Sequence, residues 1–341
     1  MARIIRGDLC HAQSMAEVRG SEIVRPLAEA VDAYALAVQR SDPGLLLGTE
    51  ATGEIAAEKG LHWHDETEPV ATTHSTIRVG HFFVLDAYRS VAKLVTVEEP
   101  SVWGPFVVAR SLLDAAGWVY WLSEPEIGVE RRIQRRLALS VAEANAQRIP
   151  ERPEFKEARD RLKKITSGTQ AFCKFHGWEF RPRTDKLALR VGSESIPKPS
   201  RRIDQVVGIR SPEEKDGLGA TLWWYLSSFT HGGMDGLLQA VERNPDPDPS
   251  TPSGNIMVRY DQFVWLLDAC SRATIHVTQR RFDLMGGSTP EIEGLRDELK
   301  AQLAEHLRAV GEHRMPNPTP GRPTVASDAT MSDIVPGMGA I

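Results

Sequence analysis

The chain has 341 residues, of which 41% are hydrophobic and 26% are charged, and its formal net charge is −5 at pH 7. This length and composition are typical of one large or two moderate globular domains, and they argue against global disorder and against a coiled coil. No stretch reaches the roughly 18 uninterrupted apolar residues of a membrane span, and charges near the N-terminus argue against a signal peptide. Three cysteines without CxxC spacing argue against a disulfide framework and a thiolate zinc site. We therefore expect a cytoplasmic protein that makes no contact with a membrane.

Apolar residues recur at helical spacing along most of the chain, beginning with a helix over residues 21–39. Residues 45–73 lack this period and predict an irregular region. Further helices are predicted over residues 75–97, 101–122, 126–148, 152–175, 200–207, 213–230, 257–285 and 289–312. Residues 316–341 carry five prolines and no period, which predicts disorder. The sequence thus predicts an all-α bundle of eight or nine helices, with an N-terminal helical and loop region over 1–73, a central and C-terminal bundle over 74–312, and a disordered tail over 313–341.

The predicted helix over residues 101–122 is apolar around almost its whole circumference, which predicts a position at the centre of the fold. Arg110 and Asp114 are four residues apart on it, so their side chains share one face. Taking these charges out of water costs several kcal/mol per ion unless they are paired. One interpretation is an ion pair that fixes how the helix docks. The other is the polar floor of a pocket, where Gly117 allows a backbone or a ligand to approach closely.

His231 is predicted at the end of the helix over residues 213–230, where the helix dipole favours a protonated imidazole. A capping interaction is one interpretation. The other is an acid–base group or an anion contact, with Asp114 nearby. We therefore treat Arg110, Asp114 and His231 as candidate catalytic residues that converge on one pocket. The predicted walls of this ligand pocket are Trp118, Trp121 and Trp224.

Residues 130–202 hold 19 Lys and Arg against 9 Asp and Glu, a local excess of +10. Such an asymmetry indicates either a surface for an anionic partner or a solvated helix face. In the helix over 126–148, the predicted inner seam is Ile133, Leu137 and Val141. The arginines predicted to face solvent are Arg131, Arg132, Arg135 and Arg136. They suit the phosphates of a nucleic acid, but no aromatic residue is interleaved with them for base stacking.

Histidines and carboxylates are concentrated before and within the second predicted helix. They are His62, His64, Asp65, Glu66, His74 and His81. These residue types ligate metals, but loop histidines need a rigid frame and the sequence supplies none. We interpret the segment as a surface loop and predict no metal site.

Three segments carry a resemblance to a known group: Ala109-Arg-Ser-Leu-Leu-Asp114, Pro199-Ser200, and Tyr225-Leu-Ser-Ser-Phe-Thr-His-Gly232. They resemble bacterial helical domains of unassigned function that are similar to HEPN proteins, compact helical bundles that include toxin and antiviral ribonucleases. The resemblance covers roughly residues 75–235. HEPN ribonucleases carry an Arg, four to six residues, and then a His on one helix. The chain offers Arg308 to His313 and Arg6 to His11, which is no more than chance produces in this composition.

Two functional hypotheses follow from the residues and the resemblance. The first is a helical protein that binds a ligand or partner near Arg110, Asp114 and His231. The alternative is a HEPN-like nucleic-acid-binding protein or ribonuclease of a defence or toxin system. The P-loop, dinucleotide-binding, nucleophile-elbow and HExxH motifs are absent, so we predict no cofactor. Homo-oligomer formation and contact with nucleic acid through residues 130–202 stay open.

Overall fold

The computed structural model describes residues 20–42, 46–58, 68–97, 103–184, 188–208, 218–231, 242–243, 256–257 and 260–312. These ranges contain ten α-helices, one turn of 3-10 helix and five two-residue strands. The predicted all-α fold class is confirmed, and the described ranges hold ten α-helices where the periodicity indicates eight or nine. The tail over residues 313–341, predicted to be disordered, lies outside the described residues. None of the described helices is long and apolar enough to cross a membrane.

The helices are α1 (Gly20–Arg40), α2 (Glu50–Glu58), α3 (Pro69–Thr96), α4 (Gly104–Leu122), α5 (Val129–Ala146), α6 (Lys156–Phe175), α7 (Pro199–Val207), α8 (Leu218–Thr230), α9 (Tyr260–Met285) and α10 (Pro290–Glu312). The 3-10 turn is Pro153–Phe155. The strands are β1 (Phe180–Arg181), β2 (Arg190–Val191), β3 (Glu194–Ser195), β4 (Glu242–Arg243) and β5 (Ile256–Met257).

Helix α4 lies at the centre of the bundle, as its apolar circumference predicts. It packs against α3, α7, α8 and α9. Its fully buried residues in the shared core include Phe106, Ala109, Leu112, Leu113 and Ala116. Because burying a leucine or phenylalanine side chain stabilises a fold by ~1.5–3 kcal/mol, this helix contributes much of the core.

Helix α2 corrects the prediction that residues 45–73 are irregular. Its inward face carries Glu54 and Glu58, which are buried although they are charged. The segment is therefore helical, but its buried face carries charged residues, so it lacks the apolar period that predicts a helix. Glu58 Oε1 accepts a hydrogen bond of 2.7 Å from the N–H of Val70, which stabilises the start of α3. The predicted domain boundary between residues 73 and 74 falls inside α3, and α1 packs against the same helix.

A small antiparallel sheet in the order β1-β2-β3 covers one face of α5. Strands β2 and β3 pair with Val191 opposite Glu194. The turn between them contacts Gln134, whose Oε1 accepts a hydrogen bond of 3.0 Å from the N–H of Ser193. Gly192 has a φ of +58°, and a Cβ there would meet the Gln134 side chain at 2.2 Å, so this turn requires glycine. The hairpin therefore lies on the face of α5 that carries several arginines.

Candidate functional site

Arg110 and Asp114 form the predicted ion pair on α4, joining Nη1 of the arginine to Oδ2 of the aspartate. Arg110 is 12% exposed and Asp114 is 36% exposed. The pair thus lies at the edge of the core, with its carboxylate facing solvent in part. The pair is therefore not fully enclosed by the core.

Helix α7 brings a second arginine to the same carboxylate. Arg202 is 5% exposed, and its Nη2 lies 3.9 Å from Asp114 Oδ1. Its guanidinium carbon is 3.4 Å from the centroid of the Trp118 ring, a stacked cation–π geometry. Gly117 permits this approach, because a Cβ at that position would lie 2.9 Å from the Cβ of Arg202. The predicted role of Gly117 in a close backbone approach is confirmed.

Helix α8 contributes Ser227 and Trp223 to the cluster. Arg110 Nε donates a hydrogen bond of 3.1 Å to Ser227 Oγ. The guanidinium carbon of Arg110 lies 5.4 Å from the centroid of the Trp223 ring. Since Ser227 and Trp223 are one turn apart on α8, they hold Arg110 from two successive turns.

The structure does not bring His231 into this cluster. Its side chain is exposed just after the last residue of α8, and no hydrogen bond or ion pair joins it to Arg110 or Asp114. Its backbone N–H donates to the carbonyl of Ser227 at 3.0 Å, which is an ordinary helix-end contact. The polar partners that we expected from His231 come instead from Ser227 and Arg202.

The tryptophans that lie near the cluster are also not the three that were predicted. Trp118 and Trp121 lie together, with ring centroids 5.8 Å apart. Trp224 is 54% exposed, so it is not one of the buried aromatic side chains of the cluster. The neighbouring Trp223 points to Arg110 instead, because a helix turns by about 100° from one residue to the next.

The charges of the cluster do not balance. Two guanidinium groups, Arg110 and Arg202, face one carboxylate, Asp114. Burial lowers the pKa of Arg202 from 12.5 to about 10, with Asp114 opposing this shift and Arg110 adding to it. Arg202 is therefore still protonated at neutral pH, and the charged side chains of the cluster among the described residues sum to one net positive charge.

Several buried polar atoms of the cluster have no hydrogen-bond partner in the part of the chain that the structure describes. They include the donors Arg202 Nε and Trp223 Nε1 and the acceptor Asp114 Oδ1. Buried donors without a partner are rare in native proteins, and each costs about 1–3 kcal/mol. Within the described residues, the cluster thus has unused donor capacity next to one excess positive charge.

Sequence reasoning missed Arg202, Ser227 and Trp223, but α7 carried a signal. Its apolar stripe consists of Ile203, Val206 and Val207, which are all buried. Arg202 lies four residues before Val206 and therefore on that stripe. An arginine on the apolar face of a short helix indicates a charge that has a partner inside the protein.

The predicted solvent exposure of the α5 arginines is wrong for two of the four. Arg131 is 51% exposed and Arg136 is partly exposed, but Arg132 and Arg135 are buried. Arg135 Nε donates to Glu194 of β3 at 2.8 Å. Arg131 Nε donates to the other oxygen of the same carboxylate at 2.6 Å.

Arg132 is held by helix α2 and by the end of α4. Its Nη2 donates to Glu50 Oε1 at 2.7 Å, and its Nε lies 3.0 Å from Glu54 Oε2. The inner seam of α5, Ile133, Leu137 and Val141, is buried as predicted. Helix α5 therefore uses both sides of its circumference for packing, and part of the positive charge of residues 130–202 is neutralised internally.

Of the six residues considered as metal ligands, His74 and His81 lie within the described ranges, and both have protein partners. His74 Nε2 lies 2.9 Å from Glu54 Oε2, and His81 Nε2 is 2.9 Å from the hydroxyl of Thr278. His62, His64, Asp65 and Glu66 lie outside the described residues. Across the ranges that the structure describes, no group of three or more His, Cys, Asp or Glu residues is placed to hold a metal ion.

Comparison of the chain with protein-family models, with curated proteins and with solved structures gives no match. The candidate site is therefore defined by its own geometry. It consists of Arg110 and Asp114 from α4, Arg202 from α7, and Trp223 and Ser227 from α8.

Proposed function

We propose that this protein binds a ligand with a carboxylate group at the Arg110–Arg202 pair. The observation that carries the proposal is that two mostly buried guanidinium groups share one carboxylate. A buried charge without a counter-charge costs several kcal/mol, so an anionic ligand would lower the free energy of this cluster. The unpaired donors Arg202 Nε and Trp223 Nε1 would supply hydrogen bonds to that anion.

Charge balance favours a monoanion over a dianion. The cluster carries two positive charges and one negative charge, and a single carboxylate would neutralise it. A phosphate monoester, with a charge near −2 at neutral pH, would replace one excess positive charge by one excess negative charge. The planar guanidinium fork also matches the two oxygens of a carboxylate.

Access to the pair is over Asp114, which at 36% is the most exposed charged side chain of the cluster. An entering carboxylate would meet Arg110 and Arg202 beside Asp114, and slight movement of these side chains would turn their unused donors toward it. This assignment retains Arg110 and Asp114 from the sequence hypothesis and replaces His231 by Arg202. Binding, rather than a catalysed reaction, is the activity that we propose.

The nucleic-acid alternative receives less support from the geometry. Phosphate binding by α5 would need its arginines free, but Arg132 and Arg135 are buried against carboxylates. Of the other two, Arg131 is itself paired with Glu194 and Arg136 is only partly exposed, so α5 offers a smaller positive surface than the sequence predicts. We therefore rank the carboxylate ligand first.

Thermal unfolding in acetate tests the proposal, because a ligand that binds the folded state raises the melting temperature. Sodium acetate at the ionic strength of a sodium chloride control should raise the wild-type melting temperature, and sodium phosphate should raise it less. Arg110→Lys, which keeps the charge but loses the fork, should reduce the acetate effect. Arg201→Gln alters the exposed neighbour of Arg202 and should leave it unchanged. Equal wild-type melting temperatures in acetate and chloride would overturn the proposal.

A further inference from the structure

An apolar groove runs between α3, α4 and α5. Its volume is about 490 Å³, which lies within the roughly 300–1,000 Å³ of small-molecule pockets. Its lining includes Val79, Gly80 and Phe83 of α3, Trp118 and Val119 of α4, and Glu143 of α5. Most of these side chains are apolar or small. The groove is therefore suited to a hydrocarbon chain.

Two large apolar side chains at the groove are exposed although burial would favour them. Val79 is 68% exposed and Phe83 is 49% exposed, and they lie one turn apart on α3. Gly80 lies between them, and a Cβ there would meet Val119 of α4 at 2.7 Å. Helices α3 and α4 are thus in contact along the floor of the groove. The side chains of Val79 and Phe83 line the groove and are exposed to solvent. Contiguous exposed apolar residues of this kind mark binding sites.

Trp118 connects this groove to the arginine pair. Its side chain lines the groove and also makes a cation–π contact with the guanidinium of Arg202, whose central carbon is 3.4 Å from the ring centroid. Asp114 lies one turn before Trp118 on α4, and its neighbour Ala115 lines the groove as well. The apolar groove and the positively charged cluster therefore adjoin along the same two turns of α4.

We infer that the ligand is a long-chain carboxylate, with its hydrocarbon chain in the groove and its carboxylate at Arg110 and Arg202. This inference rests on the proposed function and adds the class of ligand. Glu143 is the one ionisable side chain among the described residues that line the groove. Its carboxylate would repel a headgroup placed in the groove itself. The headgroup is therefore directed to the arginine end, and the chain to Val79 and Phe83.

The dependence of affinity on chain length tests the inference. Isothermal titration calorimetry with acetate, butyrate, hexanoate, octanoate and decanoate should show affinity rising by about three- to fourfold per added methylene, the value expected for burial of a CH₂ group. The neutral alcohol 1-decanol should bind at least about tenfold more weakly than decanoate, because it cannot pair with the guanidinium groups.

Variants then separate the two parts of the site. Val79→Asp places a negative charge in the groove and should weaken decanoate binding by about tenfold or more, while leaving acetate binding unchanged. Leu47→Asp is the matched control, since Leu47 is 97% exposed and does not line the groove, and it should bind decanoate as the wild type does.

The outcomes distinguish the inference from the proposed function. If acetate binds but affinity does not rise with chain length, the groove is not occupied and the inference fails while the carboxylate site stands. If decanoate and decanol bind equally, and Arg110→Lys changes neither, the groove binds hydrocarbon alone and both statements fail. Equal loss of decanoate binding in Val79→Asp and Leu47→Asp would also contradict the inference, because the effect would not depend on the groove.

Discussion

The guanidinium of Arg202 lies over the indole of Trp118, with 3.4 Å between its central carbon and the ring centroid. This contact joins α7 to the centre of α4 and places a buried positive charge beside Arg110 and Asp114. Cation–π contacts contribute about 0.5–2 kcal/mol, with the larger values at desolvated positions such as this one. The same contact therefore serves packing and holds a cation at the position where we propose that the carboxylate ligand binds.

The close approach of α7 to α4 predicts opposite effects for two glycine substitutions. Gly117→Ala would place a Cβ 2.9 Å from the Cβ of Arg202, which cannot move without shifting α7. We expect a loss of about 1–3 kcal/mol in the free energy of unfolding, as overpacking of a core produces. Gly168→Ala in α6 meets no atom within 4 Å and should be stabilising by up to about 1 kcal/mol, because alanine favours a helix over glycine. Urea denaturation of both variants checks this, and a stable Gly117→Ala protein would contradict the described packing.

Arg132 and Arg131 should differ sharply in their contribution to stability, although they are neighbours. Arg132→Ala leaves Glu54 buried without its guanidinium partner and should lower the free energy of unfolding by about 3–5 kcal/mol. Arg131→Ala removes a 51%-exposed side chain and should cost less than about 1 kcal/mol. Chemical denaturation at neutral pH measures both. Similar small losses would mean that Arg132 faces solvent, as the sequence predicts.

Acid should destabilise the protein through His81. Burial lowers the pKa of His81 from 6.5 to about 3, with the positive charge of Arg281 adding to the shift and Asp42 opposing it. Between these two pH values the unfolded chain binds a proton at His81 that the folded protein does not. The free energy of unfolding should therefore fall by about 1.4 kcal/mol per pH unit from this residue as the pH drops below about 6.5.

Comparison with His81→Asn isolates this contribution. The wild-type stability should fall more steeply than that of the variant between about pH 6.5 and 5. Glu54 affects stability at a lower pH than His81 does. Burial alone raises the pKa of Glu54, but His74 and Arg132 hold it below its usual 4.5. Its contribution is present above pH 4.5 and is lost as the pH falls further. Parallel pH profiles of the two proteins above pH 5 would show that His81 is not buried in its neutral form.

The sequence predicted most helices because their apolar residues recur at the helical period, as along α1 and α3. It failed at α2, where Glu54 and Glu58 occupy the inward face and satisfy their charges with Arg132 and with the N–H of Val70. It also failed on the outer face of α5. The hairpin that covers Arg135 is built from residues about 60 positions later, and periodicity within one helix holds no information on what covers it.

In the candidate site too, contacts between residues close in sequence could be predicted and contacts between distant residues could not. Arg110 and Asp114 are a turn apart, so their pairing follows from spacing alone. Ser227 is 117 positions from Arg110, and its contact depends on how α8 docks against α4. By chemical type His231 is the better partner for Arg110, but it lies one turn beyond Ser227, just after the end of α8, and its side chain is exposed.

The indole N–H resonance of Trp223 gives the most direct measurement of the central claim, because Trp223 Nε1 is one of the cluster's unpaired donors. Trp223→Phe assigns this signal among the indole signals of the eight tryptophans in a ¹H–¹⁵N spectrum. We predict that titration with acetate or decanoate moves the Trp223 signal progressively downfield in the wild type, as expected when a donor gains a charged acceptor. The Arg201→Gln control should show the same shift, and Arg110→Lys a much smaller one. A Trp223 signal that stays fixed while either ligand is added to saturation would contradict the proposed carboxylate site.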